Sequence, residues 1–256
     1  MKKRVLIISI FLNIALASNL QIKDKNIIAK IPEASGICYS TIRNSLFVAN
    51  DEGKIYEISK KGKILRDKKI GNYDLEGVAC DNTNGVLLFA VEEDDAILIV
   101  SQKRLKIKKK ISIKRKFKGI KVLKKDKKHG LEAITIVDDN VYLSNQSFNK
   151  YPKKDSSVVF QIDNIKSKKA KIVKIIDHGY FDIAALTYHN KMLYMISDDK
   201  NLLIIYDLEK NKTVDKIVLP KFAQEGICFD NSNKLYIADD NGRILKFKPK
   251  EIFDRW

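Results

Sequence analysis

The sequence is poor in cysteine, proline and glycine. Three cysteines in 256 residues exclude a small scaffold held together by many disulfides. With 4 prolines and 11 glycines, the chain is neither collagen-like nor compositionally disordered. Beyond residue 17, no apolar run approaches the roughly 20 residues of a membrane-spanning helix. The length suits one large all-β domain or two ordinary domains with a sizeable core.

Several motifs of catalysis are also missing. The sequence contains no Gly-x-Ser-x-Gly, no glycine-rich loop that would cradle a phosphate, and no spacing typical of zinc ligands. Nucleophilic catalysis is therefore unsupported, which favours a binding protein over an enzyme.

The excess of positive charge is confined to two segments. The chain has 49 Lys and Arg against 32 Asp and Glu, a net charge of +17. Residues 1–17 carry three of these basic residues, and residues 103–128 carry 15 with a single acid. The rest of the chain is balanced, with 31 basic and 31 acidic residues. Because the basic insert lacks a recognition motif or an aromatic platform, we expect no nucleic-acid partner.

The first 17 residues have the pattern of a secretory signal peptide. Lys2, Lys3 and Arg4 precede an apolar run over 5–12, and the segment ends in small residues at 15 and 17. We therefore expect an exported, periplasmic protein, with association with the cell membrane left open. An uncleaved N-terminal anchor is the alternative.

A short phrase recurs five times along the chain. The first residues of successive copies lie 41, 56, 52 and 41 residues apart. We call the first residue of each copy its ring position. They are Ser35-Gly36-Ile37-Cys38-Tyr39, Glu76-Gly77-Val78-Ala79-Cys80, Glu132-Ala133-Ile134-Thr135-Ile136, Ala184-Ala185-Leu186-Thr187-Tyr188 and Glu225-Gly226-Ile227-Cys228-Phe229. The longer spacings mark insertions at 103–128 and 146–157.

Each phrase is followed by further short runs rich in Ile, Val, Leu, Tyr and Phe, separated by turn residues, which is typical of strands. Four strands per repeat of about 40–45 residues is the pattern of a β-propeller blade. The fifth repeat lacks its fourth strand, so we expect residues 26–31 to supply it and close the ring. The prediction is an all-β fold: one propeller domain over 18–256, with five four-stranded blades and a basic insert at 103–128. A β-sandwich would need no such repeat.

Four of the repeats carry phrases that resemble the SdiA-regulated (YjiK-like) family of exported bacterial β-propeller proteins, whose biochemical role is not established. The phrases are Glu33-Ala34-Ser35-Gly36-Ile37, Asp74-Leu75-Glu76-Gly77-Val78, Gly130-Leu131-Glu132-Ala133 and Gln224-Glu225-Gly226-Ile227. The sequence departs from the pattern at Ala133 and at Ala184-Ala185. The family is distantly similar to propeller phytases, which implies calcium-dependent phosphoester hydrolysis as an alternative function.

Three of the five ring positions are carboxylates: Glu76, Glu132 and Glu225. First strands line the channel of a propeller, so these side chains should converge. Converging carboxylates repel each other and need a cation or hydrogen-bond donors to stay ionised. Oxygen ligands of this kind suit Ca²⁺. We therefore predict a divalent cation, with Ca²⁺ as the candidate cofactor, at these three residues. The alternative is a structural use, in which each glutamate caps backbone amides or pairs with a lysine.

Further polar residues should surround this channel mouth and bind an unidentified ligand. They are Ser35 at a ring position and Asp51, Glu92, Asp198 and Asp239 at the ends of second strands. The expected function is an exported, monomeric propeller that binds a ligand, and with it a divalent cation, at the channel mouth.

Two interpretations of the basic insert remain open. Lysines near an anionic lipid surface each contribute about 1 kcal/mol to binding, which favours a membrane or an envelope polyanion as partner. Alternatively, the segment is a solvated outer edge strand that lysines protect from aggregation. The residues assigned to this patch are Lys108, Lys109, Lys110, Lys114, Arg115 and Lys116.

Cys38 and Cys228 occupy equivalent positions in the first and last repeats. An oxidising compartment would permit a disulfide between them. The alternative is that both are small buried residues of the β core.

Overall fold

The computed structural model describes residues 20–124 and 130–253, so the predicted signal peptide lies outside the described residues. The described chain folds almost entirely into strands, with a 3-10 turn at Asp24–Asn26 and one four-residue helix, α1 (Pro249–Ile252). None of its helices is long and apolar enough to cross a membrane. The all-β prediction is confirmed.

The strands fall into five groups of four, which we call units 1 to 5. Unit 1 contains β2 (Ala34–Ser40), β3 (Ser45–Asn50), β4 (Lys54–Ile58) and β5 (Ile64–Lys69). Unit 2 contains β6 (Leu75–Asp81), β7 (Val86–Val91), β8 (Ala96–Ser101) and β9 (Ile107–Lys114). A hairpin of β10 (Lys116–Phe117) and β11 (Ile120–Lys121) follows it.

The remaining units follow the same plan. Unit 3 contains β12 (Leu131–Val137), β13 (Asn140–Asn145), β14 (Val159–Ile162) and β15 (Lys169–Ile176). Unit 4 contains β16 (Ile183–His189), β17 (Met192–Ser197), β18 (Leu202–Asp207) and β19 (Lys212–Val218). Unit 5 contains β20 (Gln224–Phe229), β21 (Leu235–Asp239), β22 (Arg243–Phe247) and the N-terminal β1 (Ile27–Lys30).

Within each unit, neighbouring strands pair antiparallel. The N-terminal strand β1 completes unit 5 by pairing with β22, with Ile27 opposite Leu245 and Lys30 opposite Arg243. The predicted closure by residues 26–31 is therefore confirmed. Units 2 and 3 are not separate sheets, because β9 and β15 pair in parallel and join them into one eight-stranded sheet. The basic strand β9 is therefore not an open edge strand, which was the second interpretation of the basic insert.

The five first strands form a closed ring, in which each contacts the first strand of the unit before and after it. Five separate clusters of buried apolar side chains each lie between two adjacent units. Inner strands such as β3 are buried at every residue because both faces of their sheet are covered, whereas the outer strand β19 alternates between exposed and less exposed residues. This layered ring is the packing of a propeller.

The cysteines pair differently from the bridge considered above. Cys38 on β2 forms a disulfide with Cys80 on the neighbouring β6, with 5.6 Å between their Cα atoms. Cys228, on the other side of β2, is buried and free. A Cys38–Cys228 bridge is therefore wrong. A first strand has two neighbours: Cys38 packs in the cluster between units 1 and 2, whereas Cys228 packs in the cluster between units 5 and 1.

Two ion pairs of unit 1 share one buried carboxylate, and one of their arginines also reaches unit 2. The carboxylate of Glu57, with 1% of its side chain exposed, pairs with Arg43 at 2.6 Å and Arg66 at 2.5 Å. Arg66 also donates to the carbonyl of Lys103 in the loop between β8 and β9. Burial alone would raise the pKa of Glu57, but hydrogen bonds from Arg43, Ser45 and Arg66 outweigh burial and lower it.

Candidate functional site

Every first strand is irregular at its ring position. In β2, for example, Ala34 pairs with Asn50 and Gly36 with Ala49, so Ser35 is left out of the regular register. The same kind of shift occurs at the start of the other four first strands. Such bulges bend a strand and re-aim a side chain. They thus place one side chain from each unit at the same end of the ring.

Glycines let these bulges approach closely. A Cβ atom on Gly77 would lie 2.6 Å from the Cα of Ala133 and 2.8 Å from the carbonyl oxygen of Glu132. A Cβ atom on Gly36 would lie 2.7 Å from the carbonyl oxygen of Glu76. Only glycine fits at these positions without moving the backbone, so the repeated Ser/Glu-Gly phrase reflects the narrowness of the ring.

The three ring glutamates perturb one another. Burial raises the pKa of Glu76 well above its ordinary value, and the charges of Glu132 and Glu225 raise it further. Burial, followed by the charges of Glu92 and Glu225, likewise raises the pKa of Glu132. Glu225 has its pKa raised to about 8, first by burial and then by Asp240 and Asp198. If all three glutamates were ionised, the ring would therefore carry more negative charge than the surrounding groups stabilise.

The tightest groups of carboxylates lie within and between units rather than around the ring. One group consists of Asp74, Glu76 and Glu92, all from unit 2, with one oxygen of each within 4.8 Å of the others. The second group, defined by the same distance of 4.8 Å, consists of Glu33, Asp51 and Asp240 at the junction of units 1 and 5. The structure thus groups Glu76 with acids of its own unit. It does not bring Glu76, Glu132 and Glu225 together at this distance.

Members of both groups have raised pKa values. Burial raises the pKa of Glu92 to about 7, with a further contribution from Asp74, although Glu92 Oε1 accepts a hydrogen bond from the amide of Gly130 at 3.1 Å. For Asp51, burial and then the charges of Glu33 and Asp240 raise the pKa to about 6.

Unpartnered oxygen atoms lie at the same end of the ring. Asn145 Oδ1, Gln224 Oε1 and Asp51 Oδ1 are buried and accept no hydrogen bond. The amide nitrogen of Gln224 donates to Asp198 at 3.3 Å and to Asn201 at 3.1 Å, which fixes the orientation of the amide. Buried acceptors without a donor are costly, and a cation removes that cost as well as a donor does.

The other predicted ligand residues have structural partners. The hydroxyl of Ser35 donates to the carbonyl of Leu75 and so links units 1 and 2. The carboxylate of Asp198 accepts from Gln224. That of Asp239 is fully buried and pairs with Arg243. Asp239 therefore holds the turn after β21 in place.

Sequence reasoning missed a second acidic repeat position, two residues before the ring position. It is occupied by Glu33, Asp74 and Asp182 in units 1, 2 and 4. Burial, followed by the charges of Asp198 and Asp199, raises the pKa of Asp182 to about 6. Extending the comparison of repeats by two residues would have found this position.

A cleft of about 410 Å³ lies next to the two carboxylate groups. It includes Asp51 from one group and Asp74 from the other. Its lining residues are Asp51, Glu52, Lys69, Asn72, Tyr73, Asp74 and Glu93.

The fold and this site define a class: an all-β propeller with an acidic face at one end of its ring. The chain belongs to the SdiA-regulated family, whose model matches residues 14–248. The expected family resemblance is thereby confirmed. No curated protein matches the chain.

Solved structures that match the chain share little sequence identity with it. Glutaminyl cyclase from Myxococcus xanthus has a TM-score of 0.65 and 12% identity over 87% of this chain and 94% of that one. The β-propeller domain of Cps50 (Swd1) from Myceliophteria thermophila has a TM-score of 0.47 and 9% identity, covering 80% and 62%. A catalytically inactive virginiamycin B lyase from Staphylococcus aureus has a TM-score of 0.48 and 16% identity, covering 83% and 65%. At these identities the likeness concerns the fold alone.

Proposed function

We propose that this protein binds a divalent cation of the calcium type at its acidic face, and through that cation an oxygen-bearing ligand in the adjacent cleft. The observation that carries the proposal is the group of Asp74, Glu76 and Glu92, whose carboxylate oxygens lie within 4.8 Å of one another. Two of these three carboxylates have raised pKa values, which is the behaviour of a site that needs a positive charge.

The donor set fits a hard cation. The group offers only oxygen atoms, and Ca²⁺ takes six to eight oxygen ligands from carboxylates, amide carbonyls and water. Two buried amide oxygens at the same end of the ring, those of Asn145 in unit 3 and Gln224 in unit 5, also accept no hydrogen bond. Zinc prefers nitrogen and sulfur ligands, which the group lacks.

Proton and cation compete for the same oxygens. Because burial raises the pKa of Glu92 to about 7 and that of Glu76 well above its ordinary value, the cation-free group holds protons near neutral pH. A cation must displace them, so its affinity rises with pH across this range.

Binding is favoured over the alternative, calcium-dependent ester hydrolysis. Hydrolysis of a phosphoester needs groups that activate water and stabilise the leaving group. Among the described residues that line the cleft, Lys69 is the one basic side chain. An assay of phosphomonoesters and phosphodiesters with and without Ca²⁺ separates the two functions. Turnover that Ca²⁺ supports and Glu76→Gln abolishes would establish the hydrolase.

The proposal is tested by the melting temperature of the full chain in Ca²⁺ and in EDTA. A ligand present at a hundred times its Kd stabilises the folded state by about 2.7 kcal/mol. For a chain of this size, that raises the Tm by about 5–10 °C. Glu76→Gln is expected to abolish the shift, whereas Glu209→Gln, on an exposed loop away from the site, should retain it. Equal melting temperatures in Ca²⁺ and EDTA for the unmodified chain would contradict the proposal.

A further inference from the structure

The parallel pairing of β9 with β15 creates a basic surface that spans two units. Side chains alternate along β9, so that Lys108, Lys110 and Lys114 are exposed while Ile111 and Ile113 are buried. On β15, Lys169 and Lys171 are exposed on the same side. The sequence analysis placed only residues between 108 and 116 in this patch, because nothing in the repeats indicated that β15 would join it.

The register sets like charges against each other. Lys114 lies opposite Lys171, and Lys169 lies opposite Ser112. Like charges at directly opposed positions of a sheet destabilise it. An anionic partner that covers this position would relieve the repulsion.

The predicted patch divides into structural and exposed members. Lys109 donates to the carbonyls of Ile165 and Lys166, and Arg115 pairs with the buried Asp95, so both hold the insert to the propeller. Lys110 pairs with Asp94. In the described ranges 20–124 and 130–253, Lys108, Lys114 and Lys116 form no ion pair.

The adjoining hairpin adds basic and apolar groups. Its two central residues, Lys118 and Gly119, have φ angles of 46° and 84°, as a two-residue hairpin turn requires. The Lys118 ammonium lies 5.3 Å from the ring centroid of Phe117. The hairpin contacts β15, where Val173 keeps 46% of its surface exposed.

We infer that this basic face binds the surface of an anionic lipid bilayer. The face is defined by Lys108, Lys110, Lys114, Lys116, Lys118, Lys121, Lys169 and Lys171. Exposed lysines on adjoining strands can reach several headgroups at once, and an exposed aliphatic residue among them suits the interfacial region. A single-stranded nucleic acid would in addition need aromatic rings on which bases stack. Phe117 is half-buried against the core and lies beneath Lys118.

The test measures binding of the full chain to phosphatidylcholine vesicles with and without phosphatidylglycerol. A triple variant, Lys114→Gln, Lys169→Gln and Lys171→Gln, removes the charges where the two strands meet. Each lysine near an anionic surface contributes about fivefold to binding, so the triple variant should bind about 100-fold more weakly. The matched control replaces Lys63, Lys212 and Lys216, which are exposed beside or on other outer strands. It makes the same change of net charge and should bind nearly as well as the unmodified chain.

Binding to the anionic vesicles should also fall as salt is raised. Both triple variants keep the N-terminal segment, so vesicle binding through that segment is the same in both. Equal loss in the two triple variants would overturn the inference, as would binding that does not distinguish anionic from zwitterionic vesicles. If the triple variant lost binding to duplex DNA but still bound anionic vesicles, the inference would be overturned in favour of a nucleic acid. If the triple variant does not fold, Lys171→Gln alone should weaken binding about fivefold.

Discussion

The cation-free protein should become more stable as the pH is lowered from about 9 to about 6. Burial, Asp240 and Asp198 raise the pKa of Glu225 to about 8, against 4.5 for an ordinary glutamate. The folded state therefore holds a proton that the unfolded state releases. The stability that this proton contributes is fully present below pH 4.5, the pKa of the unfolded state. It is lost as the pH rises through about 8.

The size of the effect follows from the two pKa values. Protonation of Glu225 alone should add about 2.7 kcal/mol to the free energy of unfolding between about pH 9 and about pH 6. For a chain of this length, this corresponds to a rise of about 5–10 °C in Tm. Glu92, whose pKa is raised to about 7, acts in the same direction.

Thermal unfolding in EDTA at a series of pH values measures this dependence. Glu225→Gln should flatten it and raise the Tm at high pH, because the variant removes a charge that is repelled in the folded state. Glu209→Gln should leave the dependence unchanged. Stability of the unmodified chain that is flat, or that increases between about pH 6 and about pH 9 in EDTA, would refute the reasoning.

Two further predictions concern the packing of units 1 and 2. The disulfide between Cys38 and Cys80 spans 42 residues, and its reduction should lower the free energy of unfolding by about 4 kcal/mol in urea titrations. Cys228→Ala should show the same loss on reduction, whereas a chain without Cys38 should show none; a loss there would contradict the assignment. Replacing Glu57 by Gln removes the charge that pairs with Arg43 and Arg66, whose side chains are partly exposed, and should cost about 1.5–3 kcal/mol. A cost no larger than that of an exposed substitution would show that the buried pair is not a stabilising contact.

The repeats made most of the fold predictable from the sequence. Strand positions, the four-strand plan and the N-terminal strand of unit 5 follow from apolar runs that recur in the same order in every repeat. The pairing of β9 with β15 does not, because it joins outer strands of different units and depends on the lysine-rich insert. The partner of Cys38 was equally hidden, since equivalent repeat positions do not reveal which neighbouring strand presents its cysteine.

The site was predicted in part. The repeat comparison identified Glu76 and Glu92, which the structure brings into one group, but it did not assign Asp74 to the site, although Asp74 opens one of the family phrases. Asp239 matched the pattern of a ligand residue, yet its partner Arg243 becomes apparent only in the folded turn. Unpartnered amide oxygens such as that of Gln224 depend on hydrogen bonds that no sequence pattern encodes.

Calorimetric titration of Ca²⁺ into the EDTA-treated and dialysed full chain at about pH 8, above the raised pKa of about 7 of Glu92, tests the central claim most directly. The account predicts saturable binding that Glu76→Gln abolishes and Glu209→Gln preserves. Absence of saturable binding to the unmodified chain, or binding that Glu76→Gln leaves intact, would contradict it.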